Sequence, residues 1–199
     1  MMTNEQLTAL GIDPKWLDPL NSTFDKYELN TPTRQAAFIG QCGHESGNFK
    51  TLEENLHYSA KGLMATWHSR FPDEATADKY ANNPEMIANK VYGGRADLGN
   101  TEDGDGWRFH GRGVIQLTGR ANYKTCGDAI GVDLINAPEL LLEPKNAVMS
   151  AGWFWNKRGL NALADNQDWE TITKRINGGT LGLQDRIDKT HKAMDILGA

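Results

Sequence analysis

A predicted helix with an acidic residue at the edge of its buried face is the strongest constraint on how this 199-residue chain folds. Thr31-Pro32 marks its start, because threonine can cap a helix and proline fits a first turn whose N–H groups are unpaired anyway. Phe38, Cys42 and Glu45 then recur at spacings typical of one helix face. Glu45 is therefore expected where a carboxyl group is partly shielded from water, with apolar neighbours and the adjacent histidine around it.

A second informative segment is the run GRGVIQLT at residues 111–118, where glycines and β-branched residues precede polar ones. Such a composition favours extended backbone, so Trp107 to Thr118 is predicted to form a β-hairpin or small sheet. The Gly-, Asp- and Asn-rich residues from Gly93 to Gly106 are predicted to form a long loop before it.

Helical patterns cover most of the remaining chain, which predicts an α+β, predominantly α-helical fold. The other predicted helices are Asn4–Tyr27 with breaks near Pro14 and Pro19, Ser59–His68, Thr76–Val91 with a break at Pro84, a helix from Pro144 to a stop at Gly159, one capped by Asp168 and ended at Gly178, and a last one through Leu197. No repeat or Pro/Ser-rich linker interrupts the chain, so residues 1–199 are predicted to form a single domain without a separate wall-binding module.

Charge and hydropathy exclude several classes of partner. A formal net charge of -5 gives no general attraction to nucleic acid or to anionic membranes. No run approaches the ~18 apolar residues of a membrane-spanning helix, so no stable membrane association is expected. The first residues lack the basic and apolar regions of a signal peptide, which predicts a protein made in the cytoplasm with Cys42 and Cys126 reduced.

Two other chemistries are weighed and disfavoured. A Cys42 thiolate nucleophile could not use His44, because residues two apart on a helix do not face each other, and a base would have to come from His57 or His110. No HExxH pair is present, and the acidic loop near residues 97–105 lacks the ligand spacing of an EF-hand. No metal and no cofactor are therefore expected.

Five motifs follow one another along the chain: AAFIGQCGHESGNFKTLEENLHYSAKGL, GDGWRFHGRGVIQLTGRANY, IGVDLINAPELL, AGWFWNKRGLN and INGG. In this order they resemble glycoside hydrolase family 19, above all its phage-endolysin branch. The resemblance runs from about Thr31 to Gly179 and implies a lysozyme-like, two-lobed domain with its small sheet beside a substrate cleft.

The resemblance also implies roles for individual residues. It makes Glu45 the general acid, Glu54 the carboxylate that activates water, and Thr118 the hydroxyl that holds this water, in an inverting mechanism that needs two carboxyl groups. Glu53 remains open as an alternative base, since the nine-residue spacing from Glu45 to Glu54 is shorter than in plant chitinases. The implied substrate-binding residues are Gln116, Asn122, Tyr123, Asn177 and Arg186, with Trp107 as a sugar platform beside the cleft.

The function implied is that of an endolysin that hydrolyses β-1,4 bonds of peptidoglycan glycan strands. A chitinase that acts on N-acetylglucosamine polymers and a lytic transglycosylase that uses Glu45 alone remain alternatives. A monomer is expected, held in the host bacterial cytoplasm until a separate pore-forming, holin-type protein releases it to the periplasm and cell wall.

Overall fold

The computed structural model describes residues 1–199 and is predominantly helical, which confirms the predicted fold class. The α-helices, in chain order, are α1 (Asn4–Ala9), α2 (Leu17–Lys26), α3 (Pro32–Ser46), α4 (Ala60–Thr66), α5 (Glu74–Asp78), α6 (Pro84–Tyr92), α7 (Asp105–Arg108), α8 (Arg120–Ile130), α9 (Pro144–Lys157), α10 (Leu160–Asp165), α11 (Trp169–Asn177) and α12 (Leu183–Leu197). Short 3₁₀ helices lie at Pro14–Trp16, Ala96–Leu98 and Pro138–Leu142. None of the helices has the length and apolar character needed to cross a bilayer.

The chain folds into two compact units, each assembled from separate stretches of sequence. The first unit contains residues 1–52, 113–116 and 140–199, and therefore α1–α3 and α9–α12. The second unit contains residues 53–112 and 117–139, and therefore α4–α8.

In the first unit, α3 packs along α12, and its buried face also contacts aromatic rings of α2 and α9. Phe38 is fully buried and meets the rings of Phe24 and Trp155 edge-on, an arrangement that aromatic quadrupoles favour. Where α3 crosses α12, Gly40 faces Thr190 so closely that a Cβ atom would lie 2.8 Å from the backbone nitrogen of Thr190. Only a glycine permits this approach of the two helices.

In the second unit, a separate hydrophobic cluster joins α4, α5 and α6. Its buried members are Leu56, Leu63, Phe71, Ala77, Ile87, Ala88 and Val91. The partly buried side chains of Tyr92 and Trp107 pack against this cluster, which gives two residues of the candidate site a rigid apolar support.

The predicted hairpin is absent as a regular sheet, and Trp107 lies in α7 instead of a strand. Two isolated antiparallel bridges are present, Glu53 with Arg112 and Arg112 with Leu117. The neighbouring backbone groups bond elsewhere, with the N–H of Gly113 donating to Leu52 and that of Val114 to Ala147. Most of the run is buried, and the N–H groups of Arg112, Gly113, Val114 and Leu117 are hydrogen-bonded to several segments without a continuous ladder.

Most helix ends confirm the local signals. Thr31 and Asp168 accept hydrogen bonds from the first turns of α3 and α11, and Pro84 starts α6. The predicted break at Pro19 is wrong, because Pro19 is the third residue of α2, where its missing N–H has no intrahelical partner to lose. Helices α8 and α10 were not predicted.

Charged side chains hold the loop before α7 in place. The carboxylate of Asp105 is fully buried and accepts two hydrogen bonds from the Arg120 guanidinium, at 2.8 and 2.9 Å. Burial opposes ionisation of Asp105, but the hydrogen bonds from Arg120 and the backbone N–H of Glu102 outweigh it, and the pKa of Asp105 is lowered. The loop is therefore anchored internally, not freely solvated as its composition suggests.

Asp105→Asn is expected to lower the free energy of unfolding by about 1.5–3 kcal/mol near pH 7, the range for hydrogen bonds to charged groups. Since the folded pKa of Asp105 is lowered, its contribution is present above about pH 4 and is lost as the pH falls through the folded value. Urea unfolding near pH 7 and near pH 3 measures both effects. An equal difference between wild type and variant at both values would contradict this assignment.

Gly40→Ala is expected to destabilise the protein by about 1–3 kcal/mol, the range for overpacking a filled core, because the new Cβ meets backbone that cannot rotate away. Gly62→Ala in α4 is the matched control, since its nearest neighbour would be the Tyr58 ring at 3.3 Å. Thermal unfolding of the two variants compares them. A Gly40→Ala protein as stable as the Gly62→Ala protein would show that α3 and α12 are not packed at their limit.

Candidate active site

The acidic residue Glu45 lies in the last turn of α3, in the first unit. The helix ends at Gly47, which adopts a left-handed conformation, and Phe49 donates its backbone N–H to the Ser46 hydroxyl at 2.8 Å. These end contacts fix the last turn, so the Glu45 side chain projects from rigid backbone. It is 25% exposed, as expected for a residue at the edge of a buried face.

The guanidinium of Arg186 binds Glu45. Its Nη2 lies 2.7 Å from Glu45 Oε1, while Nη1 donates to Gln41 Oε1 at 2.8 Å and Nε to the Leu181 carbonyl at 3.1 Å. The Arg186 side chain is 1% exposed. The prediction that it contacts substrate is therefore corrected: it has no surface to offer a sugar, and it orients Glu45 instead.

His44 pairs with a carboxylate other than Glu45. Its Nδ1 lies 2.6 Å from Asp185 Oδ2, and Lys189 approaches the other oxygen at 2.9 Å. The hydrogen bonds from His44 and then Lys189 lower the pKa of Asp185. A Cβ at Gly182 would overlap the His44 ring, so this glycine lets the ring close over the loop that precedes α12. The environment of Glu45 is thus an ion pair, not the apolar shield expected from sequence.

A thiol nucleophile next to Glu45 is disfavoured by the structure. Cys42 is fully buried, and burial, followed by the nearby Glu45 carboxylate, raises the pKa of its thiol well above the ordinary value. A buried, protonated thiol is unreactive. Cys42 and Cys126 are both buried and form no disulfide, and their reduced state stays a prediction.

In the second unit, Glu54 accepts hydrogen bonds on both carboxylate oxygens. The Tyr92 hydroxyl donates to Oε1 at 2.5 Å, and the backbone N–H of Gly111 donates to Oε2 at 3.1 Å. Burial, followed by the hydrogen bond to Glu54, raises the pKa of Tyr92, so the hydroxyl remains a donor. Two neutral donors therefore orient Glu54 without cancelling its charge.

The adjacent Glu53 has different partners. His110 Nε2 lies 2.8 Å from Glu53 Oε1, and the Nε atom of Arg112 lies 4.0 Å from the same oxygen. The His110 side chain is 1% exposed, while that of Glu53 is 44% exposed. The His110 ring also stacks on Trp107, with 4.3 Å between ring centroids and planes 19° apart.

A small cavity of about 220 Å³ opens beside both carboxylates. It is lined by Glu53, Glu54, Leu56, His57, Pro84 and Trp107. Acidic groups beside a half-exposed indole ring form the kind of surface that binds a sugar ring, because hydroxyl groups pair with the carboxylates and the ring face covers the apolar C–H groups. Trp107 lines this cavity, and its role as a sugar platform stays a prediction.

The remaining predicted residues divide by exposure. Gln116, Asn122 and Asn177 are exposed, and Thr118 is half-buried, so these four side chains are accessible and their roles remain predictions. Tyr123 is fully buried, and its hydroxyl donates to the His110 carbonyl. Its predicted role as a cleft residue is therefore corrected: Tyr123 supports the segment that holds His110, and burial raises its pKa.

Sequence reasoning missed the partners of the three candidate carboxylates. Tyr92 carries no signal in the local pattern, and Gln41 reads only as part of a helix. His110 and Arg112 lie in the segment FHGRG, whose two glycines indicate a close backbone approach but do not indicate which side chains His110 and Arg112 contact.

Each unit presents a carboxyl group that is suited to proton transfer. Glu45 is oriented by a buried cation, Glu54 by two neutral donors, and both retain exposed surface. No group of three or more His, Cys, Asp or Glu side chains is arranged to hold a metal ion. Acid–base chemistry by carboxyl groups is therefore the chemistry that these side chains support.

The chain is similar to proteins of one family. The model of the glycosyl hydrolase family 19, described as chitinase class I, matches residues 23–164. A glycosyl hydrolase family 19 domain-containing protein of Haemophilus influenzae is 42% identical over 175 residues, which cover 88% of this chain and 85% of that protein. An endochitinase of Arabidopsis thaliana is 28% identical over 159 residues, which cover 79% of this chain but 44% of the plant protein.

Solved structures show the same fold. A bacterial family 19 chitinase superposes with a TM-score of 0.69 at 21% identity, covering 99% of this chain and 95% of the other. Chitinase C from Streptomyces griseus superposes with a TM-score of 0.67, also at 21% identity, covering 99% and 92%.

Proposed function

The chain belongs to glycoside hydrolase family 19, and from that premise we propose that it is an endolysin that hydrolyses the β-1,4 bonds of peptidoglycan glycan strands. It is a glycoside hydrolase by family. The polymer and the biological role are the proposed parts.

The placement of Glu45 on rigid helical backbone, with its carboxyl group oriented by Arg186, is the observation that supports glycoside hydrolysis most directly. Cleavage of a glycosidic bond requires a carboxyl group that gives its proton to the leaving oxygen. Glu45 is a half-buried carboxyl on rigid helical backbone, and Arg186 fixes its direction. Arg186 acts through Glu45, since its own guanidinium is buried.

A second carboxylate is required to remove a proton from the attacking water. Glu54 is oriented for this task by Tyr92 and Gly111, which leave lone pairs on both oxygens free for water. The Thr118 hydroxyl is proposed to hold the same water. Attack opposite the leaving group gives inversion, so the first product is the α-anomer.

Peptidoglycan is favoured over chitin by the segment EENLHYS and the short connection between Glu45 and Glu54, which resemble phage endolysins more than plant chitinases. We further propose that the enzyme acts as a monomer in the periplasm and cell wall. It would be stored in the host bacterial cytoplasm until a separate holin-type protein opens the membrane.

Chitin hydrolysis is the second candidate, because the similar Arabidopsis protein is named an endochitinase and the similar solved structures are named chitinases. Chitin and the glycan strands share N-acetylglucosamine, so one site can accept parts of either polymer. A lytic transglycosylase is the third candidate. It would use Glu45 alone, since the sugar's own hydroxyl replaces water.

Digestion of purified peptidoglycan is expected to release fragments with ordinary reducing ends, initially as the α-anomer, because water is the nucleophile in an inverting reaction. Mass spectrometry identifies the ends, and NMR during the first turnovers identifies the anomer. Chitin oligosaccharides serve as the parallel substrate. Anhydro-muramic ends would contradict hydrolysis, and cleavage of chitin alone would contradict the endolysin role.

Glu45→Gln is expected to fold normally and to lose ~10²-fold or more of its turnover, the range for removal of a general acid. The glutamine amide oxygen can still accept from Arg186, which limits the loss of stability. Glu170→Gln is the matched control, because Glu170 forms an exposed ion pair with Lys174 on α11. A folded Glu45→Gln protein with near-normal turnover on the cleaved polymer would overturn the assignment of the acid.

A further inference from the structure

Two adjacent carboxylates, Glu53 and Glu54, line one cavity, yet their partners differ in kind. This difference bears on which of them activates water, so the inference rests on the proposed hydrolytic function. All the groups that distinguish the two glutamates lie within the second unit.

The position of one proton follows from the contacts of His110. Its Nδ1 lies 2.5 Å from the Trp107 carbonyl oxygen. A carbonyl oxygen can only accept a hydrogen bond, so Nδ1 carries a proton. The other ring nitrogen, Nε2, must then either carry a second proton or accept one.

Nε2 lies 2.8 Å from Glu53 Oε1. Two bare lone pairs would repel at this distance, so one proton lies between Glu53 and His110, whichever atom holds it. The guanidinium of Arg112 is buried, and its Nε, which has no hydrogen-bond partner of its own, lies 4.0 Å from the same Glu53 oxygen. Glu53 and His110 therefore share one proton beside a buried cation.

Such a pair makes a poor general base. Glu53 Oε1 already faces the proton that it shares with His110, so a proton taken from water would be a second one on this pair, beside the buried Arg112 guanidinium that the carboxylate faces. Glu54 has no cation within salt-bridge distance, and it is held by the Tyr92 hydroxyl and the Gly111 amide. It can accept a proton without breaking an ion pair.

We propose that Glu53 and His110 form a proton-sharing pair that withdraws Glu53 from catalysis, and that Tyr92 is the positioning residue that makes Glu54 the sole base. His110 has a second task, since its stacked ring and its bond to the Trp107 backbone fix the wall of the cavity. Two consecutive glutamates thereby receive different duties.

The first test is kinetic and compares the two glutamates on whichever polymer the wild type cleaves, so that an error about the polymer leaves it intact. Glu54→Ala is expected to lose ~10²-fold or more of kcat, and Glu53→Ala much less. Added azide is expected to restore turnover to Glu54→Ala only. Azide forms a bond to the anomeric carbon as the glycosidic C–O bond breaks, and the proton of Glu45 goes to the leaving oxygen, which yields an α-glycosyl azide.

The second test separates positioning from folding. Tyr92→Phe removes the hydroxyl donor, so kcat is expected to fall and the acidic limb of its pH profile to move to higher pH, while KM changes little. Tyr80→Phe is the control, because Tyr80 packs on the same hydrophobic cluster, edge-on to Phe71. A Tyr92→Phe enzyme whose pH profile matches that of Tyr80→Phe would overturn the role of Tyr92.

The third test needs no substrate and is therefore independent of the proposed function. Nitrogen-15 NMR of His110 is expected to show a protonated Nδ1 in all variants. The Nε2 resonance is expected to change in Glu53→Gln and to stay unchanged in Glu54→Gln. An unchanged Nε2 resonance in Glu53→Gln, or azide rescue of Glu53→Ala, would overturn the proton-sharing pair.

Discussion

The close packing of α3 against α12 is the contact on which the acid part of the site depends. Gly40 lets the two backbones approach, and this approach brings Arg186 of α12 within 2.7 Å of Glu45 on α3. A buried guanidinium must be paired and hydrogen-bonded. Glu45 and Gln41 of α3 provide these partners for Arg186 of α12, so the contacts that stabilise the packing of the two helices also orient Glu45. The stability of the fold and the orientation of Glu45 are therefore coupled, and few substitutions where α3 meets α12 can change only one of them.

The helices were predictable where a local residue type decides the backbone. Thr31 and Asp168 cap, Pro84 and Pro144 begin helices, and Gly178 ends one, because each of these effects depends on neighbours within a turn. The hairpin predicted for residues 111–118 does not form a regular sheet. The composition that favours a strand is also compatible with buried backbone whose hydrogen-bond partners come from distant segments. Only the tertiary contacts distinguish these outcomes.

The candidate site was predictable by residue type but not by pairing. Glu45 and Glu54 were identified by a family resemblance, whereas the partner of Glu54 lies 38 residues away and that of Glu53 lies 57 residues away. Sequence periodicity carries no information over such separations. For the same reason, Arg186 and Tyr123 were expected to contact substrate, and the structure shows each of them buried behind a residue that it supports.

The division of the chain into interleaved stretches limits how it can be dissected. The second unit takes residues 53–112 and 117–139, while residues 113–116 between them belong to the first unit. A fragment that contains either unit must therefore carry part of the other or lose part of itself. Truncation at a single point therefore cannot separate one unit from the other. Recombination with a related gene would need matched breakpoints wherever the chain passes from one unit to the other, so such an exchange keeps both units intact only when it carries the whole chain.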